Sequence, residues 1–431
     1  MLKRPRLRPR SDLWRDPGFV KLWAANGISQ VGTQVSILAL PLAALFVLKA
    51  GALGVSLLRA FAVLPFVVFS LPAGVWIDRL RRRPLMIAAD VGRALAMLSI
   101  PVAYWLGDLS MVQLYIVSAV HGTLSVVFDV SYLSFLPGLV SRERLGEANA
   151  KLLGTQSVAQ LAGPSLAGAL VGAVGAAVAV LADAVSFAIS GVVVSLIRGR
   201  EPHPEPSHSR KRDELVEGLR YVFSQPFLRT LTIWTSLWNL FSSAFFVLLI
   251  IYFVKVLHWG PTKIGLLTAL STSGFVLGAL VNERVVARLG PGRLIAFSGI
   301  ASSALLLGIP AAPLSHPAPV IVLTSIAGTV LGFFANVNQL TLRQSITPPR
   351  LLGRMNSVVR FMYWGTIPAG SAIGGALAGP LGLRTTLFVA GTGSVLACVP
   401  IALSPIRKLR TLPEAAPEPA LSVEPLIPDP A

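Results

Sequence analysis

Residues 74–83, Gly74-Val75-Trp76-Ile77-Asp78-Arg79-Leu80-Arg81-Arg82-Arg83, decide the fold, because they set one carboxylate and four guanidinium groups in a short turn between two long apolar segments. Each such charge would cost about 2.5–3.5 kcal/mol at the centre of a bilayer, whereas at the water interface it is solvated and can pair with its neighbours. The turn marks a point where the chain leaves lipid.

Working outward, the 431 residues are 54% hydrophobic and only 13% charged, with a mean hydropathy of +0.70. That is more apolar surface than one or two water-soluble cores could hide. A spanning helix takes roughly 20 mostly apolar residues. Segments of that length fall at about 18–48, 52–77, 84–106, 110–137, 147–172, 175–197, 227–256, 261–287, 292–312, 318–342, 353–379 and 382–404. The expected fold class is therefore all-α integral membrane, with twelve transmembrane helices in two six-helix bundles.

The expected organisation is a basic arm over 1–17, a first bundle over 18–197, a linker over 198–226, a second bundle over 227–404 and a tail over 405–431. Within the linker, Leu215, Leu219, Val222 and Phe223 recur at helical spacing and predict a short interfacial helix. The tail, rich in Pro and Ala, has too few large apolar residues to fold alone, and disorder is expected there. The arm resembles the start of a signal peptide, but no small-residue cleavage site follows, so it reads as a retained segment.

A formal charge of +18 raises the possibility of a nucleic-acid partner, but the placement of the charges argues against one. On the topology above, 31 of the 37 Lys and Arg fall on the side of the two termini and five on the other, with Arg93 inside a span. Such asymmetry places the basic side, and hence both termini, in the cytoplasm. The single cysteine, Cys398, lies in an apolar run and reads as a small core residue.

The two halves repeat each other. An offset of 207 takes Asp129 to Asn336, Asn149 to Asn356, Gly163 to Gly370 and Gly168 to Gly375, while Pro17 pairs with Pro226 at 209. At 204, Gly74 and Asp78 find Gly278 and Asn282, where the charge is lost. Two parallel six-helix repeats with a site between them near the midplane are the architecture of rocking secondary transporters.

Polar residues inside the spans are the candidates for a binding site. The first span carries Asn26, Gln30 and Gln34 at i, i+4 and i+8, and its repeat, the seventh, carries Thr235, Asn239 and Ser243. Either these stripes line a central cavity or they are hydrogen-bonding glue between helices. The fourth span has His121, Ser125 and Asp129 at the same spacing, against Gly328, Gly332 and Asn336 in the tenth. Intramembrane ionisable residues are costly and functional by default, so Asp129 and His121 are candidates for proton exchange; the alternative for Asp129 is a carboxylate that serves helix packing. Asp90 and Arg93, one turn apart, read as a local ion pair.

The pattern met by Gly74, Asp78, Arg79, Arg82 and Arg83 resembles the signature of the major facilitator superfamily between its second and third helices. The stretches 135–140, 144–149 and 163–168, together with Glu217-Gly218-Leu219-Arg220-Tyr221, look like the branch of bacterial macrolide-efflux and enterobactin-exporter proteins. The likeness runs from about Trp14 to Ser404. It implies a cytoplasmic latch at Gly74, Asp78, Arg79, Arg82 and Arg83. Gly163, Pro164 and Gly168 resemble the antiport motif of drug exporters, although plain helix packing would select the same small residues. The chain departs from the family pattern at Arg81, where a second loop glycine is frequent, and in the fourth span, which has no arginine.

What the resemblance implies is a bacterial inner-membrane, monomeric, proton-coupled exporter of amphipathic small molecules such as a drug, a macrolide or a siderophore. A nutrient importer of the same fold is the alternative, and a non-transporting sensor a more distant one. No phosphate-binding Gly-x-x-x-x-Gly-Lys-Ser/Thr loop occurs and the five histidines show no metal-ligand spacing, so neither ATP hydrolysis nor an intramembrane enzyme is expected, and no cofactor or metal is called for. The expected partners are a small-molecule substrate, protons and the lipid bilayer, not a nucleic acid.

Overall fold

Asp16 opens the first long helix in the way its sequence demands. Its carboxylate accepts hydrogen bonds from the backbone N–H groups of Gly18 and Phe19 at 2.8 and 3.1 Å, and Pro17 occupies the first helical position, where a missing N–H costs nothing. The computed structural model describes residues 12–77, 80–141, 144–197 and 211–413. Most of the basic arm, residues 198–210 of the linker and most of the expected tail lie outside the described residues, as do Asp78 and Arg79.

The helices in chain order are α1 Pro17–Phe46, α2 Ala52–Ile77, α3 Arg82–Leu106, α4 Met111–Leu139, α5 Leu145–Val174, α6 Ala176–Ser195, α7 Lys211–Ser224, α8 Pro226–Lys255, α9 Pro261–Leu289, α10 Pro291–Ala311, α11 Pro317–Ser345, α12 Leu352–Leu381 and α13 Leu383–Leu403. There is no strand among the described residues. A 30-residue helix such as α1 is about 45 Å long, enough to cross a bilayer and project from it.

Among the described residues, eleven of these helices are long and apolar enough to span a membrane. The exceptions are α7, the short amphipathic linker helix, and α12. Helix α12 is as long as α1 and packs along α8 and α2 inside the bundle. Its composition is diluted by Arg354, Arg360 and six glycines, because it borders a cavity and other helices rather than lipid alone.

Helices α1 to α6 form one bundle and α8 to α13 the other. They are joined chiefly by two helix pairs, α2 with α12 and α5 with α9. The sequence repeat carries α2 onto α9 and α5 onto α12, so these two contacts are copies of one another. At the α5–α9 contact, a Cβ built on Gly265 would lie 2.5 Å from the carbonyl oxygen of Pro164, and at the α2–α12 contact one built on Gly375 would lie 2.5 Å from the Cβ of Ser56. Only small residues let the backbones approach this closely.

The cores differ at the two ends of the molecule. Far from the termini a single apolar core is shared by both bundles, with Leu42, Val55 and Val171 from the first and Phe245, Ile251 and Leu267 from the second. At the end that carries the termini the cores are separate. One, with Phe19, Met86, Leu152 and Ile197, belongs to the first bundle; two others, one around Leu231 and Ile295 and one around Val222 and Met355, belong to the second. The bundles are therefore sealed together at the distal end and splayed at the terminal end.

Candidate functional site

The splay leaves a cavity of about 550 Å³ between α1, α2, α4 and α5 on one side and α12 on the other. Asn26 and Gln30 of α1, one turn apart, face it, with Asp129 of α4 and Asn149 and Gln156 of α5. From α12 come Arg360, Phe361 and Trp364. The Arg360 guanidinium lies 5.5 Å from the Trp364 ring centre, and that ring meets Phe66 of α2 at 5.1 Å, so the aromatic wall is continuous across the two bundles. The wall thus combines one carboxylate, one guanidinium, neutral amides and aromatic faces, the mixture that a pocket for an amphipathic molecule presents.

A second cavity, of about 340 Å³, lies within the second bundle between α8, α10, α11 and α12. Thr235, Asn239 and Asn336 line it, together with Trp234, Trp238, Gln339, Arg343 and Tyr363. Asn336 is the repeat partner of Asp129, so each bundle presents the same turn of its fourth helix to a cavity.

The polar stripes do not stay in these walls along their whole length. Residues four apart in a helix advance by about 40° around its axis, so a stripe of three drifts by about 80°. In α1 the drift turns Gln34 onto α5, where a Cβ built on Gly163 would lie 2.4 Å from Gln34 Cβ. In α8 it turns Ser243 onto α12, where a Cβ on Gly370 would lie 2.3 Å from Ser243 Oγ. Gln34 and Ser243 are thus seated at helix–helix contacts rather than in the cavity walls, and Gly163 and Gly370 are the matching hollows in the two halves. Each stripe is thus divided between a cavity wall and a helix contact.

The same drift separates the titratable residues of α4. Asp129 is exposed inside the main cavity. Ser125, one turn away, faces α3, where its Oγ accepts a 3.5 Å hydrogen bond from Arg93 Nη1. His121, a turn further, packs on Phe187 of α6 at 5.6 Å between ring centres, its Nε2 enclosed without a hydrogen-bond partner. Neither Ser125 nor His121 lines the cavity.

Arg93 is the hub that charge spacing alone did not disclose. It is buried, pairs with Asp90, and lies 4.4 and 4.2 Å from the ring centres of Phe128 and Phe187. Asp90 in turn accepts a 2.7 Å hydrogen bond from Ser190 of α6. A buried ion pair needs further hydrogen bonds to offset its desolvation; here Ser190 and Ser125 supply them in part, while Arg93 Nε is left without a partner. Asp183 of α6 is also buried, taking a 3.2 Å hydrogen bond from Ser186 beside the hollow of Gly32.

Of the basic turn, Gly74 lies in the last part of α2, and Arg82 and Arg83 begin α3. Arg83 donates to the carbonyl of Val194 at 3.3 Å and to that of Ser195, and Lys21 donates to Leu196 at 2.8 Å. Cations at the C-terminal end of α6 meet its unsatisfied carbonyls and complement its dipole. Pro164 and Gly168 lie at the α5–α9 contact, Gly168 against Gly265. Arg360 and Arg343 were legible only as positive charges on the basic side; their places in cavity walls follow from the rotation of α12 and α11.

The chain matches the family model described as Major Facilitator Superfamily over residues 22–369. It is 27% identical over 391 residues to the multidrug efflux pump Tap of Mycolicibacterium fortuitum, covering 87% of this chain and 92% of that one. To the enterobactin exporter EntS of Citrobacter koseri it is 26% identical over 364 residues, covering 80% and 82%. Among solved structures, it shares the fold of a bacterial homologue of the iron transporter ferroportin in its inward-facing state, with a TM-score of 0.69, 18% identity and coverage of 89% and 98%.

Proposed function

Because the chain belongs to the Major Facilitator Superfamily, and is a multi-pass membrane transporter rather than an enzyme, we propose that it exports amphipathic small molecules from the cytoplasm in exchange for protons. The observation that carries this reading is the cavity between the bundles. It is lined by aromatic rings, amides, Asp129 and Arg360, and the apolar core beyond it closes the distal end. Rocking the bundles about this cavity exchanges the sealed end for the open one.

On this reading the termini and the open end face the cytoplasm, in line with the 31 to 5 distribution of Lys and Arg. Asp129 carries the exchanged proton, since it is the one carboxylate in the cavity wall among the described residues. The protein works as a monomer in the bacterial inner membrane, each chain holding a complete cavity. The turn around Gly74, Asp78, Arg79, Arg82 and Arg83 acts as the latch when the terminal end closes. Arg83 of α3 already holds the end of α6, so α3 and α6 move as one body.

The test uses inside-out membrane vesicles, whose lumen corresponds to the cell exterior. An acid lumen should drive ethidium inward, and a protonophore should abolish the accumulation. Accumulation that survives the protonophore, or that requires an alkaline lumen, would refute proton exchange; no accumulation of ethidium or of any other amphipathic dye would refute export.

A further inference from the structure

The second cavity contains a cation that the packing of the fold does not explain. Arg343 is 8% exposed and forms part of the cavity wall. Its Nε has no hydrogen-bond partner, and neither does Oε1 of Gln339, one helical turn before it and 9% exposed. Among the described lining residues there is no carboxylate. A position in the last turn of α11 suits a cation, because the helix dipole is negative there. The dipole does not account for burial, however, since a solvated arginine at the surface would serve it equally well. A guanidinium withdrawn from water without a countercharge is expensive unless something supplies that charge.

The geometry around it is that of a receptor for an anion attached to an aromatic body. A guanidinium presents planar, paired donors that match a carboxylate. Asn239, Asn336 and Tyr363 add neutral polar groups to the same wall, and Trp234 and Trp238 supply ring faces. We propose that this cavity binds the carboxylate of a small aromatic acid through Arg343, so that the transported molecules include organic anions. The proposal rests on the carrier reading above and deepens it by naming a substrate class.

The test is direct binding to the purified full-length protein in detergent and chloride-free buffer, read as quenching of tryptophan emission. The probes are 4-nitrobenzoate, 4-nitrobenzyl alcohol and 4-nitrobenzylamine, of similar size and with negative, zero and positive charge. The acid should bind roughly tenfold or more tightly than the other two, as a charge-assisted pair implies. Arg343→Gln should remove that preference and Arg343→Lys should retain part of it. Gln339→Glu, which places an internal carboxylate one turn from the guanidinium, should also remove it, and provides a second route should Arg343→Gln fail to fold. Equal binding of the three probes to the unaltered protein, or an acid preference that persists in both Arg343→Gln and Gln339→Glu, would overturn the proposal. The assay needs no flux: dye transport without acid preference sinks this inference alone, whereas acid binding without transport of any probe sinks the carrier reading and leaves the site.

Discussion

Gly168 of α5 and Gly265 of α9 meet backbone to backbone: a Cβ built on the first would stand 2.8 Å from the Cα of the second, and one built on the second 2.7 Å from the Cα of the first. The repeat carries Gly168 to Gly375, and an offset of 209 carries Ser56 to Gly265, so the contact of Gly375 with Ser56 is its counterpart across the pseudo-twofold axis. The small residue Gly168, part of the stretch that resembles an antiport motif, therefore lies in the seam where the two halves meet.

Gly168→Val places a branched side chain in that seam. Overpacking of this kind costs about 1–3 kcal/mol, so the ratio of the state closed at the distal end to the open one should fall by roughly 5- to 150-fold. A cysteine introduced at Ala378, in the shared core, should then become reactive toward a water-soluble maleimide while the protein stays folded. Unchanged protection of that cysteine, with transport intact, would argue that the seam does not gate.

Asp129→Asn should abolish the protonophore-sensitive part of dye accumulation, and Asp129→Glu should retain some of it, because the charge remains in the cavity wall. His121→Gln should leave coupling essentially unchanged, since His121 lies against Phe187 outside that wall. Measuring both variants in the same vesicle assay separates the two residues.

Removing Arg93 alone should be severe. Arg93→Gln leaves Asp90 charged and buried, and breaking a buried pair costs about 3–5 kcal/mol. The midpoint of thermal unfolding in detergent should drop accordingly, and Asp90→Asn combined with Arg93→Gln should recover much of the loss. If the double variant is no better than the single one, the pair is not the source of the effect.

Glu217 of α7 pairs with Arg354 of α12 and lies 3.8 Å from Arg350. Its side chain is 42% exposed, so Glu217→Gln should cost no more than about 1 kcal/mol. A thermal shift well beyond that scale would mean that α7 is a structural strut rather than an accessory to the bundle.

The spans, their pairing into halves and the basic face were legible because lipid imposes length and charge rules on every segment independently. Helix α12 shows where those rules weaken: its glycines and arginines dilute the apolar signal, because one side of it faces a cavity. The stripes through Gln34 and Ser243 show a second limit. Spacing by four identifies a face but not the angle at which that face meets its neighbours, and 40° per turn is enough to move a side chain from a cavity to a helix contact. The Asp90–Arg93 pair was legible from its spacing, whereas the places of Arg343 and Arg360 in cavity walls were not, since a charge in a sequence carries no record of what it faces.

The apolar seal at the distal end also makes the motion thermal. To tilt the other way, the protein must wet Leu42, Ile251, Leu267 and their neighbours while drying surfaces at the terminal end, and any mismatch between the two areas appears as a heat-capacity difference between the two orientations. Hydrophobic association weakens on cooling, so the balance between the orientations should drift with temperature and the Arrhenius plot of turnover should bend. In the cold, the width of that seal sets how far the balance between the two orientations of this transporter shifts.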